Sequence, residues 1–251
     1  MNGSKLDRVR IVLVDTSHPG NIGAVARAMW TMGLERLCLV RPKRFPAAEA
    51  TARAAGADAL LYHARVFDTL EEALAGCVWV VGTSVRSRHL ELPLLTPREF
   101  AARAAGECRR GQVALVFGRE QTGLSNQELD ACQAVACIGA NPDFGSLNLA
   151  AAVQIFTYEL RIACAAEADG SAARAGADAA SSVTAEQLEG LYAHLEETLT
   201  DIGYHDPRAP KLLMRRLRRL YGRARPDRAE LNILRGILAA TQRAAGKLRE
   251  R

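Results

Sequence analysis

Apolar residues in the first two thirds of the chain lie in short, nearly continuous runs, separated by longer segments rich in small and charged residues. The runs are VRIVLVD, RLCLV, CVWVVGT, QVALVFG and AVACIG. Strands covered on both faces have continuous apolar runs, whereas strands with one face in water alternate between apolar and polar residues. The pattern therefore predicts parallel strands, covered by helices on both faces, in an α/β domain.

The segments between the runs have the composition of crossover helices, as in EATARAAGADALL, TLEEALAG and TPREFAARAAG. A further helix is predicted from about Asn21 to Met32, where one apolar stripe is formed by Ile22, Val25, Met29 and Met32. At about 100° per residue, Arg27 lies nearly opposite that stripe. Periodicity alone therefore predicts a solvated arginine, unless a second subunit or a nucleic acid meets that face.

The character of the chain changes near residue 165. The following segment is small, polar and rich in Gly and Ala, which predicts a flexible linker outside any core. After it, Thr184 stands three residues before Gln187, a capping-box pattern that begins an amphipathic helix. Two more helices are predicted, at about Lys211–Tyr221 and Asp227–Arg243. The expected organisation is an α/β domain, a linker and a basic helical extension over residues 1–165, 166–183 and 184–251.

The net charge of +5 is unevenly distributed along the 251 residues. Residues 1–205 carry 19 Lys and Arg against 24 Asp and Glu, whereas residues 206–251 carry 14 against 4. The C-terminal region is therefore expected to attract a polyanion. Five arginines lie on several sides of one predicted helix, which is either a solvated charged helix or an interaction surface: Arg215, Arg216, Arg218, Arg219 and Arg223.

Six cysteines are scattered, mostly in or beside apolar runs, with no C-x-x-C pair and no metal-ligand spacing with the five histidines. They are expected to be reduced core residues, and no metal need is indicated. No signal peptide or transmembrane run is apparent, which predicts a cytoplasmic protein with no membrane partner.

Polar, glycine-bearing segments follow four of the predicted strands: DTSHPGNIGAVARAM, TSVRSR, FGREQTGLSNQEL and IGANPDFGSLNLAAAVQI. Ligands of parallel α/β sheets bind at the carboxyl ends of the strands, so these loops predict one composite pocket. Each loop alone has a plainer explanation: a glycine that permits a turn, a surface His18, or Ser146 and Asn148 acting as a helix cap and a first-turn donor. The last segment predicts a helix that begins on Gly-Ser-Leu-Asn, with free amides in its first turn.

Three motifs taken together, NIGAVAR from Asn21, FGREQTGL from Phe117 and SLNLAAAV from Ser146, resemble those of the SPOUT-class RNA 2′-O-ribose methyltransferases. The segment GTSVR and the basic helical extension further resemble the TrmJ branch of that class, which methylates nucleotide 32 in the tRNA anticodon loop. The resemblance implies a parallel sheet with a C-terminal trefoil knot, an exception to the rule that chains are not knotted. It also implies S-adenosyl-methionine as cofactor, tRNA as partner and a homodimer with its sites at the interface.

The same resemblance implies roles for particular residues. The cofactor would contact Thr83, Ser84, Val85, Gly118, Glu120, Ile138, Ser146, Leu147 and Asn148. Arg27, Asn21 and Ser146 match the catalytic positions, and the five arginines named above would bind RNA. Because guanidinium is essentially never deprotonated in proteins, our hypothesis is that Arg27 stays charged, clamps a phosphate and orients the ribose hydroxyl.

Three alternatives remain open from the sequence. The same motifs serve relatives that act on other tRNA positions or on ribosomal RNA. A different class of function is a cofactor-free RNA-binding protein that kept the fold. A nucleotide-binding dehydrogenase is more distant, because no G-x-G-x-x-G or G-x-x-x-x-G-K-[ST] follows a strand.

Overall fold

The structure is a computed structural model that describes residues 5–84, 92–141, 143–168 and 182–249. Seven parallel strands form one sheet in the order β3-β2-β1-β6-β4-β7-β5. The strands are β1 Val9–Val14, β2 Arg36–Val40, β3 Arg65–Phe67, β4 Cys77–Thr83, β5 Leu94–Leu95, β6 Gln112–Phe117 and β7 Ala134–Ala136. The predicted α/β class is confirmed, whereas the trefoil knot stays a prediction.

The two strands that the apolar pattern did not predict are the outermost ones, β3 and β5. Each is only two or three residues long, and Val66 in β3 is 54% exposed. An edge strand has one neighbour and less cover, so its sequence does not need the continuous apolar run of a central strand.

The helices connect the strands and then continue as the C-terminal extension. A 3₁₀ turn at Lys5–Arg8 precedes β1. The helices are α1 Pro19–Thr31, α2 Ala48–Ala54, α3 Asp58–Tyr62, α4 Leu70–Leu74, α5 Pro97–Glu107, α6 Asn126–Asp130, α7 Leu149–Ala168, α8 Ala185–Asp201, α9 Leu213–Ala224 and α10 Arg228–Arg249. The short helix α6 lies inside a segment that was predicted to be loop, and its capping box between Ser125 and Glu128 was the missed signal.

The start of α7 differs from the prediction that its first turn includes Ser146, Leu147 and Asn148. The helix begins at Leu149, and the hydrogen bonds of the preceding residue, Asn148, are those of an N-cap. The Asn148 carboxamide oxygen accepts hydrogen bonds from the amides of Ala150 (2.9 Å) and Ala151 (3.4 Å). An N-cap side chain accepts hydrogen bonds from first-turn amides that have no partner within the helix. The residues before it can therefore form a loop.

The domain core has two layers, one on each face of the sheet. On one face, α1, α5 and α7 cover a cluster in which Trp79 stacks on Phe100, and Phe100 meets Phe156 edge to face. On the other face, α4 and α6 cover a smaller cluster, against which α8 packs through Ala185. Helices on both faces explain why the central strands are continuously apolar.

Helix α7 also has the length and composition of a membrane span, with a mean hydropathy of 1.3 over Leu149–Ala166. By composition, this corrects the expectation that the chain contains no such run. A third of the segment is buried, and Val153, Phe156 and Leu160 pack in the domain core. These contacts explain the apolar composition of α7 as that of a core helix.

The C-terminal helices dock on the α/β domain of the same chain. Arg225 donates two hydrogen bonds of 2.6 Å to the buried carboxylate of Glu107, and Arg215 forms an ion pair of 2.9 Å with Asp130. The capping box of Thr184 with Gln187 is confirmed. Most of the predicted linker, residues 169–181, lies outside the described residues, while α7 extends through residue 168.

These docking contacts lie at the amino ends of the strands. Glu107 ends the helix before β6, and Asp130 ends the helix before β7. These two contacts therefore lie at the end of the sheet opposite the carboxyl ends of the strands.

We predict that Arg225→Ala lowers the free energy of unfolding by about 2 kcal/mol, because it leaves the buried Glu107 carboxylate without its closest partner. This loss is smaller than the roughly 3–5 kcal/mol that follows when one partner of a fully buried ion pair is removed, since Arg225 is about a third exposed. Urea denaturation measures this loss, and the control is Arg223→Ala, an exposed arginine in the last turn of α9. Equal stability of the two variants would contradict the proposed contact.

Candidate active site

The carboxyl ends of β4, β6 and β7, together with the start of α7, line a cleft of about 660 Å³. Of the nine residues predicted to contact a cofactor, seven line this cleft: Thr83, Ser84, Gly118, Glu120, Ile138, Ser146 and Leu147. Val85 lies outside the described residues, and Asn148 caps α7 beside the cleft. The topology thus brings together residues that lie more than 60 positions apart in the chain, because parallel strands end at one edge.

Apolar side chains form much of the remaining wall. Phe117, Leu124, Ala136, Leu149 and Phe156 line the cleft and also belong to the two core clusters, and the sequence motifs did not mark them as site residues. For Phe117 and Ala136, their position at the carboxyl ends of β6 and β7 was the available signal. A cleft with an apolar wall and a few hydroxyl and backbone groups is typical of small-molecule sites.

The carboxylate of Glu120 joins the loop after β6 to the loop after β1. It accepts hydrogen bonds from the Ser17 amide (3.2 Å), the Ser17 hydroxyl (3.0 Å) and the His18 amide (3.2 Å). The Asn21 carboxamide nitrogen donates a fourth bond of 3.1 Å. Four donors satisfy most of the acceptor capacity of a carboxylate, so this group is held in one orientation.

These hydrogen bonds also determine the charge of Glu120. Burial by itself would raise the pKa of this carboxyl group. The bonds from Asn21 and from the backbone amides outweigh burial and hold the pKa of Glu120 below its ordinary value. Glu120 is therefore an anion throughout the neutral range.

Asn21 extends the network to the third motif. Its carboxamide oxygen accepts a hydrogen bond of 3.0 Å from the side-chain nitrogen of Asn148, the residue that caps α7. The chain Glu120–Asn21–Asn148 therefore connects the loop after β6, the first turn of α1 and the start of α7. All three had been predicted as site residues, but their direct contacts had not.

A second charged network, which the motifs did not predict, lies at the ends of β1 and β2. The buried Asp15 carboxylate pairs with the guanidinium groups of Arg41 (3.2 Å) and Arg119, and Arg119 also binds Glu128 with two bonds of 3.0 Å. Burial would raise the pKa values of Asp15 and Glu128, and these arginine contacts lower both below their ordinary values. Because Arg119 precedes Glu120 in the chain, these ion pairs hold the loop that contains Glu120 in place.

Gly118 permits the close turn between these networks. A Cβ atom at this position would lie 2.1 Å from the carbonyl carbon of Gly123 and 2.2 Å from the amide nitrogen of Leu124. Both are backbone atoms, so a side chain would require the loop to move. The glycine predicted from the second motif is needed for this close approach.

Arg27 is exposed on the outer face of α1, as periodicity predicted. Within the part of the chain that the structure describes, it has no hydrogen bond or ion pair. Exposed apolar side chains lie on the same face of α1 and on the neighbouring α7: Trp30 (47% exposed), Tyr158 (51%) and Ile162 (51%). The two helices are joined where Arg161 donates a hydrogen bond of 3.2 Å to the Met32 carbonyl.

The five arginines of α9 have different environments. Arg216 and Arg223 are exposed, whereas the others are half-buried. Arg215 pairs with Asp130, and Arg218 pairs with Glu189 and lies 4.6 Å from the centre of the Tyr192 ring. Arg215 and Arg218 therefore already have partners within the chain.

The thiols lie outside the cleft. All six cysteines are free and five are buried, which confirms the prediction of reduced core residues. Burial raises the pKa of Cys77 to about 11 and that of Cys132 to about 12, so neither is a thiolate at neutral pH. Among the described residues, no group of three or more His, Cys, Asp or Glu is placed to hold a metal ion.

Comparison with known proteins matches both parts of the chain. A family model described as the SpoU rRNA Methylase family matches residues 8–158, and one described as the C-terminal domain of the tRNA methyltransferase TrmJ matches residues 186–250. A Pseudomonas aeruginosa relative, named tRNA (cytidine/uridine/adenosine-2′-O-)-methyltransferase TrmJ, is 56% identical and covers 96% of each chain. A Cronobacter sakazakii relative, named tRNA (cytidine/uridine-2′-O-)-methyltransferase TrmJ, is 49% identical, over 94% of this chain and 97% of its own.

The solved structures of relatives agree in fold. The crystal structure of TrmJ from Z. mobilis ZM4 has a TM-score of 0.80 at 35% identity, covering 92% of this chain and 97% of its own. A probable methylase family protein from Haemophilus influenzae Rd KW20 has a TM-score of 0.64 at 42% identity, covering 97% and 99%. Both matches extend through the α/β domain into the C-terminal helices.

We predict that Glu120→Gln destabilises the fold by about 1–3 kcal/mol at neutral pH, because an amide nitrogen would replace an acceptor that four donors require. A lowered folded-state pKa stabilises the fold above the ordinary glutamate value of about 4.3 and loses that contribution as the pH falls through the folded value. The variant should therefore lose less stability than the wild type between about pH 5 and pH 3.

Denaturation curves across that pH range measure both effects. The matched control is Glu35→Gln, which removes an exposed carboxylate away from the cleft. A wild-type pH dependence in the Glu120→Gln variant would show that the network does not hold this carboxylate ionised.

Proposed function

Since this chain belongs to the TrmJ family of SpoU methylases, we propose that it methylates the ribose 2′-hydroxyl of nucleotide 32 in the tRNA anticodon loop. The single observation that carries the proposal is that residues of the second and third motifs line one cleft, while the first motif is joined to both by the hydrogen-bond chain Glu120–Asn21–Asn148. S-adenosyl-methionine is the proposed methyl donor, and a cytoplasmic location follows from the tRNA substrate.

The residues of the cleft fit that cofactor. Thr83, Ser84 and Ser146 place hydroxyl groups at the cleft for its polar parts, and the half-buried Ile138 and Leu147 offer apolar surface to a planar ring. The volume of about 660 Å³ lies within the roughly 300–1,000 Å³ of small-molecule sites. When bound, S-adenosyl-methionine supplies an activated methyl group on a sulfonium centre for in-line displacement by an oxygen nucleophile.

The protein side chains then have two tasks. Glu120 and Asn21 hold the loops in position through their hydrogen bonds, while Asn148 caps α7 and leaves Ser146 exposed at the cleft. Arg27 remains protonated, binds a substrate phosphate through its planar guanidinium and orients the ribose hydroxyl. The hydroxyl proton passes to a nearby phosphate or to water, because neither an arginine nor Glu120, which already accepts four hydrogen bonds, is a suitable base.

A homodimer is part of the proposal. The exposed apolar side chains Trp30, Tyr158 and Ile162 lie on adjacent helices, and exposed large apolar groups on one face mark interaction surfaces. Arg27 lies on the same face of α1 as Trp30. A second subunit covering this face would bury the apolar groups and place Arg27 at the edge of the interface, where RNA can reach it.

The basic helix α9 is proposed to bind tRNA away from the target nucleotide. Arg216 and Arg223 are exposed and contact phosphates, whereas Arg215 and Arg218 position the helix through Asp130 and Glu189. Arg219 lies between these groups and is half-buried. Because α9 pairs with Asp130 at the amino end of β7 and does not line the cleft, its contacts contribute affinity rather than chemistry.

Radiolabelled S-adenosyl-methionine and total tRNA from a strain without the activity test the proposal directly. We expect label on the ribose of nucleotide 32, mapped by nuclease digestion. Label at another tRNA position or on ribosomal RNA would keep the reaction and discard the target. Failure to bind S-adenosyl-methionine would instead favour an RNA-binding protein without catalytic activity.

We predict that Arg27→Lys lowers kcat about 100-fold, because a lysine ammonium cannot reproduce the planar, two-point grip on a phosphate and misplaces the hydroxyl. Cofactor affinity should not change, since Arg27 does not line the cleft. Single-turnover rates and equilibrium binding of S-adenosyl-methionine separate these effects. Arg36→Lys, at the exposed amino end of β2, is the control, and near-normal turnover with lost RNA affinity would contradict the clamp.

A further inference from the structure

The loop between β7 and α7 carries an apolar ring that is exposed within the described part of the chain. Phe144 is 82% exposed, whereas the other five phenylalanines are buried or half-buried. An isolated exposed apolar residue is ordinary on a protein surface. Phe144 is unusual because of its place, two residues before the Ser146 that lines the cleft.

The backbone beneath Phe144 is held in a defined turn. The Phe144 amide donates a hydrogen bond of 3.1 Å to the carbonyl of Asn141, and the Asp143 amide donates one of 3.0 Å to the Asn141 side-chain oxygen. After Ser146, the same loop ends at Asn148, which is tied to Asn21 and to the first turn of α7. The ring is therefore presented from a segment anchored on both sides.

The distance to the reacting groups is short. Consecutive Cα atoms are about 3.8 Å apart, so the Cα of Phe144 lies within about 8 Å of that of Ser146. A ribose whose hydroxyl reaches the cleft at Ser146 carries its base on the adjacent carbon of the same ring. The base of that nucleotide therefore lies within the reach of the Phe144 side chain.

We propose that Phe144 is the platform on which the base of the target nucleotide stacks while its ribose enters the cleft. This inference rests on the proposed function and adds a substrate-binding residue to it. A single-stranded loop nucleotide can unstack and lay its base on an aromatic side chain, and aromatic rings are the usual partners of such bases. Because every base has a π-face, the contact adds affinity without selecting cytidine over uridine.

The test is a binding cycle with two tRNA probes, one unmodified and one with an abasic ribose at nucleotide 32, both in the presence of S-adenosyl-homocysteine. We expect Phe144→Ala to raise the Kd for the unmodified tRNA about tenfold, within the range for one stacked base. The abasic tRNA should bind the wild type with a similar loss, and Phe144→Ala should not weaken its binding further. Phe144→Tyr should restore wild-type affinity, because it keeps the ring.

Tyr62→Ala is the matched control, since this ring is 87% exposed at the end of α3, outside the cleft. The Kd for S-adenosyl-methionine and the sedimentation profile should be the same for Phe144→Ala and the wild type. A change in either would overturn the proposal, because the ring would then act in the cofactor site or between subunits. An equal loss of affinity for both tRNA probes, or a coupling only to a neighbouring nucleotide, would overturn it too.

Failure of the stacking proposal can be distinguished from failure of the proposed function. A wild-type protein that labels nucleotide 32 while Phe144→Ala binds tRNA normally removes the stacking role and leaves the methyltransferase assignment intact. A wild-type protein that labels another RNA position removes both the target and the stacking partner assigned here. The wild-type labelling reaction therefore precedes the binding cycle.

Discussion

The carboxylate of Glu120 is the interaction on which the arrangement of the cleft depends. It belongs to the loop after β6, yet its hydrogen-bond donors come from the loop after β1 and the first turn of α1. Through Asn21 the same network reaches Asn148, which begins α7. Glu120 is half-buried, and movement of any one loop alone would break hydrogen bonds of this network, so the three loops do not move independently. The walls of the cleft are therefore fixed relative to one another.

The all-parallel sheet places the cleft and the docking contacts of the basic extension at its two opposite ends. The strands present their carboxyl ends to the cleft, while the basic extension docks at their amino ends through Glu107–Arg225 and Asp130–Arg215. This arrangement separates the cleft from the region whose positive charge attracts a polyanion. The excess of positive charge lies in residues 206–251, which carry 14 Lys and Arg against 4 Asp and Glu, and these residues belong to the docked extension.

Much of the fold could be predicted, and the failures have identifiable physical causes. The central strands were recognised because burial on both faces requires continuous apolar runs, whereas the edge strands β3 and β5 have no such requirement. The start of α7 was misplaced because Gly-Ser-Leu-Asn suits a loop and a helix terminus equally well, and the cap was settled by the bonds of Asn148. The charged network of Asp15 and Arg119 was missed because its members lie 104 positions apart.

The sequence by itself determined the order and type of the main elements, the uneven charge and the residue types at the strand ends, because these depend on local periodicity and composition. It also indicated the family, since the three motifs are contiguous segments. Only the tertiary structure decided which side chains meet: that Glu120 binds Asn21, that Arg218 is paired while Arg216 is exposed, and that Phe144 is left uncovered. Such contacts join residues distant in the chain, and no local pattern encodes a partner that only the packing of the whole domain brings near.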